Sequence, residues 1–243
     1  MSIVLVTGAA SGIGLATATL LADSAERLVL VERDADALAA LTLPCSVDLV
    51  PGDVADEAFW DEAAPYLGEL THAVINAGVA GAGAIAGLAF AEWRRILSVN
   101  LDGAFLTMRA AMRAIDGAGA IVAVASAAGI KAEPGIAAYA ASKAGLIQLV
   151  RVAAKEGAGR GLRVNAIAPA GVETPVWDAV PIFADRAAEI GRDAAFAEMA
   201  ANATPLGRYA KPEETARQIA FLLSDDAALM TGSVLVSDGG YSI

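Results

Sequence analysis

Tyr139 and Lys143 stand four residues apart in Tyr139-Ala140-Ala141-Ser142-Lys143. On a helix this spacing puts both side chains on one face, so the ammonium lies beside the phenol and lowers its pKa. A phenol made acidic in this way can give a proton to a carbonyl oxygen or take one from an alcohol. Taken alone the pattern is common, and a core tyrosine near a surface lysine is the plain alternative. A second chemical signal lies near the N-terminus, in Thr7-Gly8-Ala9-Ala10-Ser11-Gly12-Ile13-Gly14. Glycines let the backbone turn tightly and let a pyrophosphate approach the start of a helix, where free N–H groups and the dipole favour an anion. No Gly-Lys-Ser or Gly-Lys-Thr follows, which disfavours the phosphate loop of nucleotide hydrolases. Glu32 stands eighteen residues after Gly14. A dinucleotide fold places there the carboxylate that accepts from the adenosine ribose hydroxyls, and that charge repels a 2′-phosphate. Arg33 follows and is placed to pair with such a phosphate, which keeps NADP open, but on the strength of Glu32 NAD is expected ahead of it.

These groups need elements to hold them. Short runs of Val, Ile and Leu alternate with longer Ala- and Leu-rich stretches of helical period, the pattern of βαβ units. Strands are expected over 3–7, 28–32, 46–50, 72–75, 120–125, 163–167 and 233–236. Helices are expected over 12–23, 34–41, 56–67, 91–115, 138–157 and 212–223. The strand runs are nearly continuous in apolar residues, as in strands covered on both faces. The expectation is an α/β protein, a doubly wound Rossmann fold with a seven-stranded parallel sheet flanked by helices. No linker or repeat divides the chain, so 1–243 reads as a single dinucleotide-binding catalytic domain. Residues 175–205 break the alternation and read as a substrate-binding lid insertion.

Composition narrows the function classes. The 243 residues carry 17 Lys and Arg against 28 Asp and Glu, a formal charge of −11, and 56% are hydrophobic. That is ample material for a core, and the acidic balance argues against a nucleic-acid partner. No apolar stretch is long enough for a membrane span, and the start lacks the basic leader of a signal peptide, so a cytoplasmic protein is expected. One cysteine, Cys45, and one histidine, His72, leave no internal disulfide and no His/Cys metal cage. No metal is expected, and no Gly-x-Ser-x-Gly elbow accompanies His72 for hydrolysis.

In combination these motifs resemble the short-chain dehydrogenase/reductase family, in its single-domain branch of about this length, over essentially the whole chain. Gly8, Ser11, Gly12, Ile13 and Gly14 resemble its cofactor glycine motif. Asp53-Val54 matches the pair that holds the adenine ring, and Asn76-Ala77-Gly78 matches the motif after the fourth strand, with Ile75 where a further Asn is common. Asn100, Ser126, Tyr139 and Lys143 fall at the catalytic tetrad, with Ser126 thirteen residues before Tyr139. Gly207-Arg208, Pro212-Glu213-Glu214, Thr231-Gly232 and Asp238-Gly239-Gly240 resemble the closing segment. The resemblance implies that Tyr139 exchanges the proton at the substrate oxygen and that Ser126 orients that oxygen. It implies that Lys143 lowers the phenol pKa and binds the nicotinamide ribose, and that Asn100 holds a water linking Lys143 to solvent. Pro169-Ala170-Gly171-Val172-Glu173-Thr174 departs from the family's Pro-Gly, with Ala170 in the glycine place. If that position needs positive φ the loop shifts. Pro169, Gly171, the Val172 backbone and the Thr174 hydroxyl are still expected at the cofactor, the last two at its carboxamide.

The substrate is expected to meet 127–138 and 175–205, where Trp177, Val180, Ile182, Phe183, Phe196 and Met199 suggest a small hydrophobic alcohol or ketone. Lys131, Arg186 and Arg192 are isolated in sequence and expected to be solvated, which leaves no anion clamp. The family resemblance implies a homotetramer through the helices at 91–115 and 138–157 and the last strand. The leading expectation is an NAD-dependent interconversion of a secondary alcohol and its ketone. The alternatives are an NADP-dependent 3-oxoacyl thioester or ketone reductase and a non-catalytic dinucleotide-binding sensor. The first would need a 2′-phosphate pocket and the second a broken tetrad, whereas this tetrad is intact.

Overall fold

Strand β1 (Ile3–Thr7) is buried throughout, and its side chains alternate between two cores, Ile3 and Leu5 on one face, Val4 and Val6 on the other. Two-sided burial is what a central strand of a parallel sheet requires. The structure is a computed structural model that describes residues 2–243. After β1 come β2 (Arg27–Glu32), β3 (Ser46–Pro51), β4 (His72–Ile75), β5 (Gly119–Val124), β6 (Leu162–Pro169) and β7 (Val234–Ser237). They form one seven-stranded sheet in the order β3-β2-β1-β4-β5-β6-β7, every pair parallel. The order reverses between β1 and β4. A crevice opens at the C-terminal edge of such a sheet where the order reverses, and ligands bind there.

The helices are α1 (Gly12–Leu21), α2 (Ala35–Ala39), α3 (Glu57–Ala63), α4 (Phe90–Leu97), α5 (Ala104–Ala114), α6 (Ala137–Gly157), α7 (Pro181–Ile190), α8 (Arg192–Ala203) and α9 (Pro212–Leu223). Helices α1, α2 and α9 cover one face through Ala18, Leu38, Ile219 and Leu222. Helices α3, α5 and α6 cover the other through Phe59, Trp60, Leu106, Leu146 and Val150. The fold is thus the expected doubly wound α/β sheet. Among the described residues, no helix is long and apolar enough to cross a membrane.

Two expected helices differ in detail. The stretch 91–115 is not one α-helix: α4 and α5 are joined by a π-helical turn over Ser98–Gly103. Asn100 lies within that turn and bonds to the backbone of Val79, and π-turns of this kind concentrate at functional positions. The stretch 56–67 is α-helical only to Ala63, then tightens into a 3₁₀ turn over Ala64–Leu67, because Pro65 lacks an N–H and cannot continue the α pattern. Residues 175–205 form a 3₁₀ turn (Pro175–Ala179) followed by α7 and α8 around Phe183, Phe196 and Ala200.

Candidate active site

The turn after β1 is shaped for a close-lying anion. Gly8 and Gly12 have φ of 66° and 53°, a region side chains avoid. A Cβ on Gly14 would lie 1.9 Å from the Gly8 carbonyl oxygen, so helix and turn pack backbone to backbone there. Ser11 begins α1 without a side-chain cap, which leaves the first helical N–H groups available to a ligand. Thr7, the first residue of the glycine motif, anchors the turn to β4: its buried hydroxyl accepts from the N–H groups of Asn76 at 3.0 Å and Ala77 at 3.2 Å. The Asn76 amide donates back to the Thr7 and Gly8 carbonyls at 2.9 and 3.2 Å. The signal for Thr7 was its place directly before Gly8 at a strand end.

A cavity of about 740 Å³ runs from this turn along the C-terminal edge of the sheet. At one end are Glu32, Asp53 and Val54, from the ends of β2 and β3. The Glu32 carboxylate accepts from the N–H of Arg33 at 2.8 Å and of Ala10 and Asp34 at 3.3 Å, which fixes it between the glycine turn and the start of α2. Arg33 is exposed at the same end. Gly8, Ser11, Gly12, Ile13, Asn76 and Ala77 line the middle, with Gly78 beside them. Of the cofactor residues expected from sequence, Gly14 alone lies off the cavity wall, beneath the turn.

Ser126, Tyr139 and Lys143 meet at the other end, where β5 and α6 approach each other. Ser126 caps a short 3₁₀ turn over Ala127–Gly129, its Oγ accepting from the Ala128 N–H at 3.2 Å, so the hydroxyl is held at a fixed place. Lys143 is buried, and its Nζ donates to the Val124 carbonyl at 2.9 Å and stands 5.8 Å from the centre of the Tyr139 ring. Burial brings the Lys143 ammonium down to about 8. Burial also pushes the Tyr139 phenol up from the ordinary tyrosine value, opposed by its hydrogen bond with Ser126. Burial therefore works against the acidic phenol expected from the Tyr139–Lys143 spacing.

Asn100 is buried behind the wall rather than on it. Its Oδ1 accepts from the Val79 N–H at 2.7 Å, and its Nδ2 donates to the Val79 carbonyl at 2.9 Å and to Ser142 Oγ at 3.2 Å. The side chain is therefore spent on protein groups and fixes the chain beside Lys143. A Cβ on Gly78 would come 3.3 Å from Asn100 Oδ1 and 3.5 Å from Lys143 Nζ, so this glycine keeps the space between them.

Pro169, Gly171, Val172 and Thr174 also face the cavity. Thr174 Oγ1 donates to the Val172 carbonyl at 3.3 Å, and the Trp177 indole donates to the same oxygen at 2.9 Å. Ala170 takes ordinary φ, since Glu69 is the only non-glycine with positive φ among the described residues.

The segment 175–205 corrects two expectations. Phe183 and Phe196 do not reach the cavity: they stack on each other at 4.4 Å inside the segment's own core, and Ile182 points to solvent. Aromatic residues in an insertion serve packing as readily as binding, and only Trp177 and Val180 of the six expected residues line the cavity. The three cations keep more than a third of their side chains exposed, as solvated groups do, but each has an acidic partner and none is isolated. Arg192 pairs with Asp178 and donates to the Thr174 carbonyl, and Arg186 pairs with Glu189 and Glu198. Lys131 pairs with Glu133 at 3.0 Å on the cavity wall. Tyr209 and Tyr241 line the cavity too and were missed, because nothing local in sequence marks either.

The family profile described as enoyl-(acyl carrier protein) reductase matches residues 8–242. The chain is 40% identical to cis-4-hydroxycyclohexanecarboxylate dehydrogenase of Sinomonas cyclohexanicum, over 99% of this chain and 96% of that one. The chain belongs to the short-chain dehydrogenase/reductase family. Within this family it is 36% identical to cyclohexanol dehydrogenase of an Acinetobacter species, covering 99% and 94% of the two chains. It is also 36% identical to 3-oxoacyl-(acyl-carrier-protein) reductase of Thermotoga maritima, covering 98% and 97%. The solved structure of levodione reductase superposes with a TM-score of 0.89 at 34% identity, covering 99% and 97%. The protein is an oxidoreductase of the kind that acts on alcohols, and its family implies a nicotinamide dinucleotide cofactor. The glycine cradle and uncapped helix start described above fit that group.

Proposed function

We propose that this protein interconverts a hydrophobic secondary alcohol and its ketone with NAD, Tyr139 being the general acid and base. The observation that carries the reading is the convergence of the Ser126 hydroxyl, the Tyr139 phenol and the Lys143 ammonium on one cavity with the glycine turn. Bound NAD supplies the acceptor for hydride from the carbinol carbon. In reduction the Tyr139 hydroxyl gives its proton to the carbonyl oxygen, and in oxidation its phenolate takes the proton of the alcohol. Ser126 hydrogen-bonds the same oxygen and fixes its position. Lys143 keeps donors free beyond its bond to Val124, which hold the ribose hydroxyls beside Tyr139. Asn100 acts by fixing the Val79 backbone, so any water it brings to Lys143 is held by its main chain rather than by its amide.

Glu32 carries the preference for NAD, since its carboxylate is fixed at the adenosine end and repels a 2′-phosphate. Arg33, exposed beside it, favours the second reading, an NADP-dependent reductase. The cyclohexanol and hydroxycyclohexanecarboxylate relatives support a cyclic alcohol, as do the largely apolar walls around Trp177 and Val180. The chain acts as one catalytic domain with 175–205 as its lid, in a cytoplasmic homotetramer.

Titration with NADH and with NADPH, followed by fluorescence, tests the foundation, and absorbance at alkaline pH with NAD and a panel of secondary alcohols tests the reaction. Tight NADH binding with turnover is expected. A preference for NADPH would favour the reductase reading, and binding of neither nucleotide would refute both.

A further inference from the structure

The cavity wall beyond Ser126 carries a polar cluster that the reaction at Tyr139 does not use. Lys131 and Glu133 lie in the loop leading into α6, and Tyr241 comes from the C-terminal segment, 110 residues from Lys131. Lys131 Nζ pairs with Glu133 Oε1 at 3.0 Å, donates to the Tyr241 carbonyl at 2.9 Å and sits 4.1 Å from the centre of the Tyr241 ring. The Tyr241 phenol lies close enough to the same carboxylate to feel its charge. Burial and the Glu133 charge push that phenol up to about 12, so it remains a neutral hydroxyl at working pH.

We infer that Lys131, Glu133 and Tyr241 form a recognition point for a second, uncharged oxygen function of the substrate, a hydroxyl or carbonyl remote from the reacting carbon. This inference rests on the alcohol–ketone reading and narrows its substrate class. The argument is one of charge and hydrogen-bond capacity. Lys131 and Glu133 cancel, so an anionic substituent that approaches the ammonium also meets the carboxylate paired with it. A hydroxyl donates and accepts at once. Glu133 retains acceptor capacity beyond one ammonium, and the phenol and ammonium offer donors beside it. A purely hydrocarbon substituent would cover the solvent-facing side of this part-exposed pair and offer no hydrogen bond in place of water, which is costly. The cluster is also built rather than accidental: its cation is anchored to a backbone carbonyl and a ring face of a segment remote in sequence, so it holds the C-terminal segment against the wall.

The test compares kcat/KM for 1,4-cyclohexanediol, cyclohexanol and 4-hydroxycyclohexanecarboxylate in the wild type and in Glu133→Gln and Tyr241→Phe. The wild type is expected to prefer the diol over cyclohexanol by about tenfold, the effect of one good hydrogen bond to a charged group. In each variant that ratio should fall toward one. Because both substrates are measured on one sample, a partly folded variant does not disturb the ratio. A wild-type ratio near one, or a ratio unchanged in both variants, would overturn the inference while leaving the alcohol–ketone reading intact. A preference for the hydroxy acid over the diol would overturn it in favour of Lys131 as an anion anchor. Turnover of no alcohol with either NAD or NADP would overturn the underlying reading and this inference together.

Discussion

Gly171 lies flat against the ring of Tyr209: a Cβ built on the glycine would meet Tyr209 Cδ1 at 2.3 Å and Cε1 at 2.5 Å. The contact is tight because the two chains are bonded on either side of it. The Ala210 N–H donates to the Gly171 carbonyl, and the Glu173 N–H donates to the Ala210 carbonyl, both at 3.0 Å. Tyr209 in turn stacks on Trp177, 5.4 Å between ring centres, so the loop after β6, the aromatic wall and the 175–205 segment form one packed unit. The need for a glycine in this loop therefore falls on Gly171, not on the preceding Ala170, whose backbone any residue can adopt.

Gly171→Ala should accordingly displace the Tyr209 ring and lower kcat/KM by an order of magnitude or more, as overpacking of about 1–3 kcal/mol would. Ala170→Gly should leave activity within about twofold. Steady-state kinetics on the two variants checks this, and the reverse order would mean that positive φ is wanted at 170.

At the adenosine end, Glu32→Ala removes the acceptor for three backbone N–H groups as well as a charge. NADH affinity should fall by roughly tenfold or more, on the scale of a charge-assisted hydrogen bond, and NADPH should gain relative to NADH. Fluorescence titration with both nucleotides gives the ratio, and an unchanged ratio would show that Glu32 does not read the ribose.

Two glycines separate close approach from mere flexibility. Gly14→Ala drives a methyl group into the Gly8 carbonyl, whereas Gly68 has nothing within 4 Å of its Cβ position and a φ of −56°. The first change should abolish measurable dinucleotide binding, and the second should leave binding and thermal midpoint nearly unchanged.

How far these residues could be read from sequence follows from how local their constraints are. Tyr139 and Lys143 are legible because one helix, α6, sets both. The glycine turn is legible because strand, turn and helix are consecutive. The π-turn at Asn100 is not, since it accompanies a bond to Val79, 21 residues away, that no local pattern encodes. Lys131 read as an isolated cation because its partner carbonyl, that of Tyr241, is 110 residues distant. Phe183 and Phe196 read as binding residues because an aromatic in an insertion carries the same signal whether it packs inward or lines a cavity.

Burial of Lys143 has a consequence for stability. Its pKa falls from 10.5 to about 8, so between those values the folded chain holds fewer protons than the unfolded chain. Stability should then rise with pH across that window, by on the order of 3 kcal/mol from this group. Below the window both states are charged and the cost of the buried ammonium is fully present. Urea unfolding of the wild type and of Lys143→Met at pH 7.5 and pH 10 measures the difference. The advantage of the methionine variant should shrink as pH rises, and parallel behaviour of the two proteins would show that the ammonium is not desolvated.

The central claim is that the Tyr139 hydroxyl moves the proton, and a single substitution tests it most directly. Tyr139→Phe keeps the ring and removes only the hydroxyl, so NADH should bind with wild-type affinity while NAD reduction by cyclohexanol, followed at alkaline pH, falls by about 10³-fold, within the range of general acid–base catalysis. Retention of wild-type turnover with NADH binding intact would contradict the account and move the proton transfer to another group of the cavity, Tyr209 and Tyr241 being the other phenols that line it among the described residues.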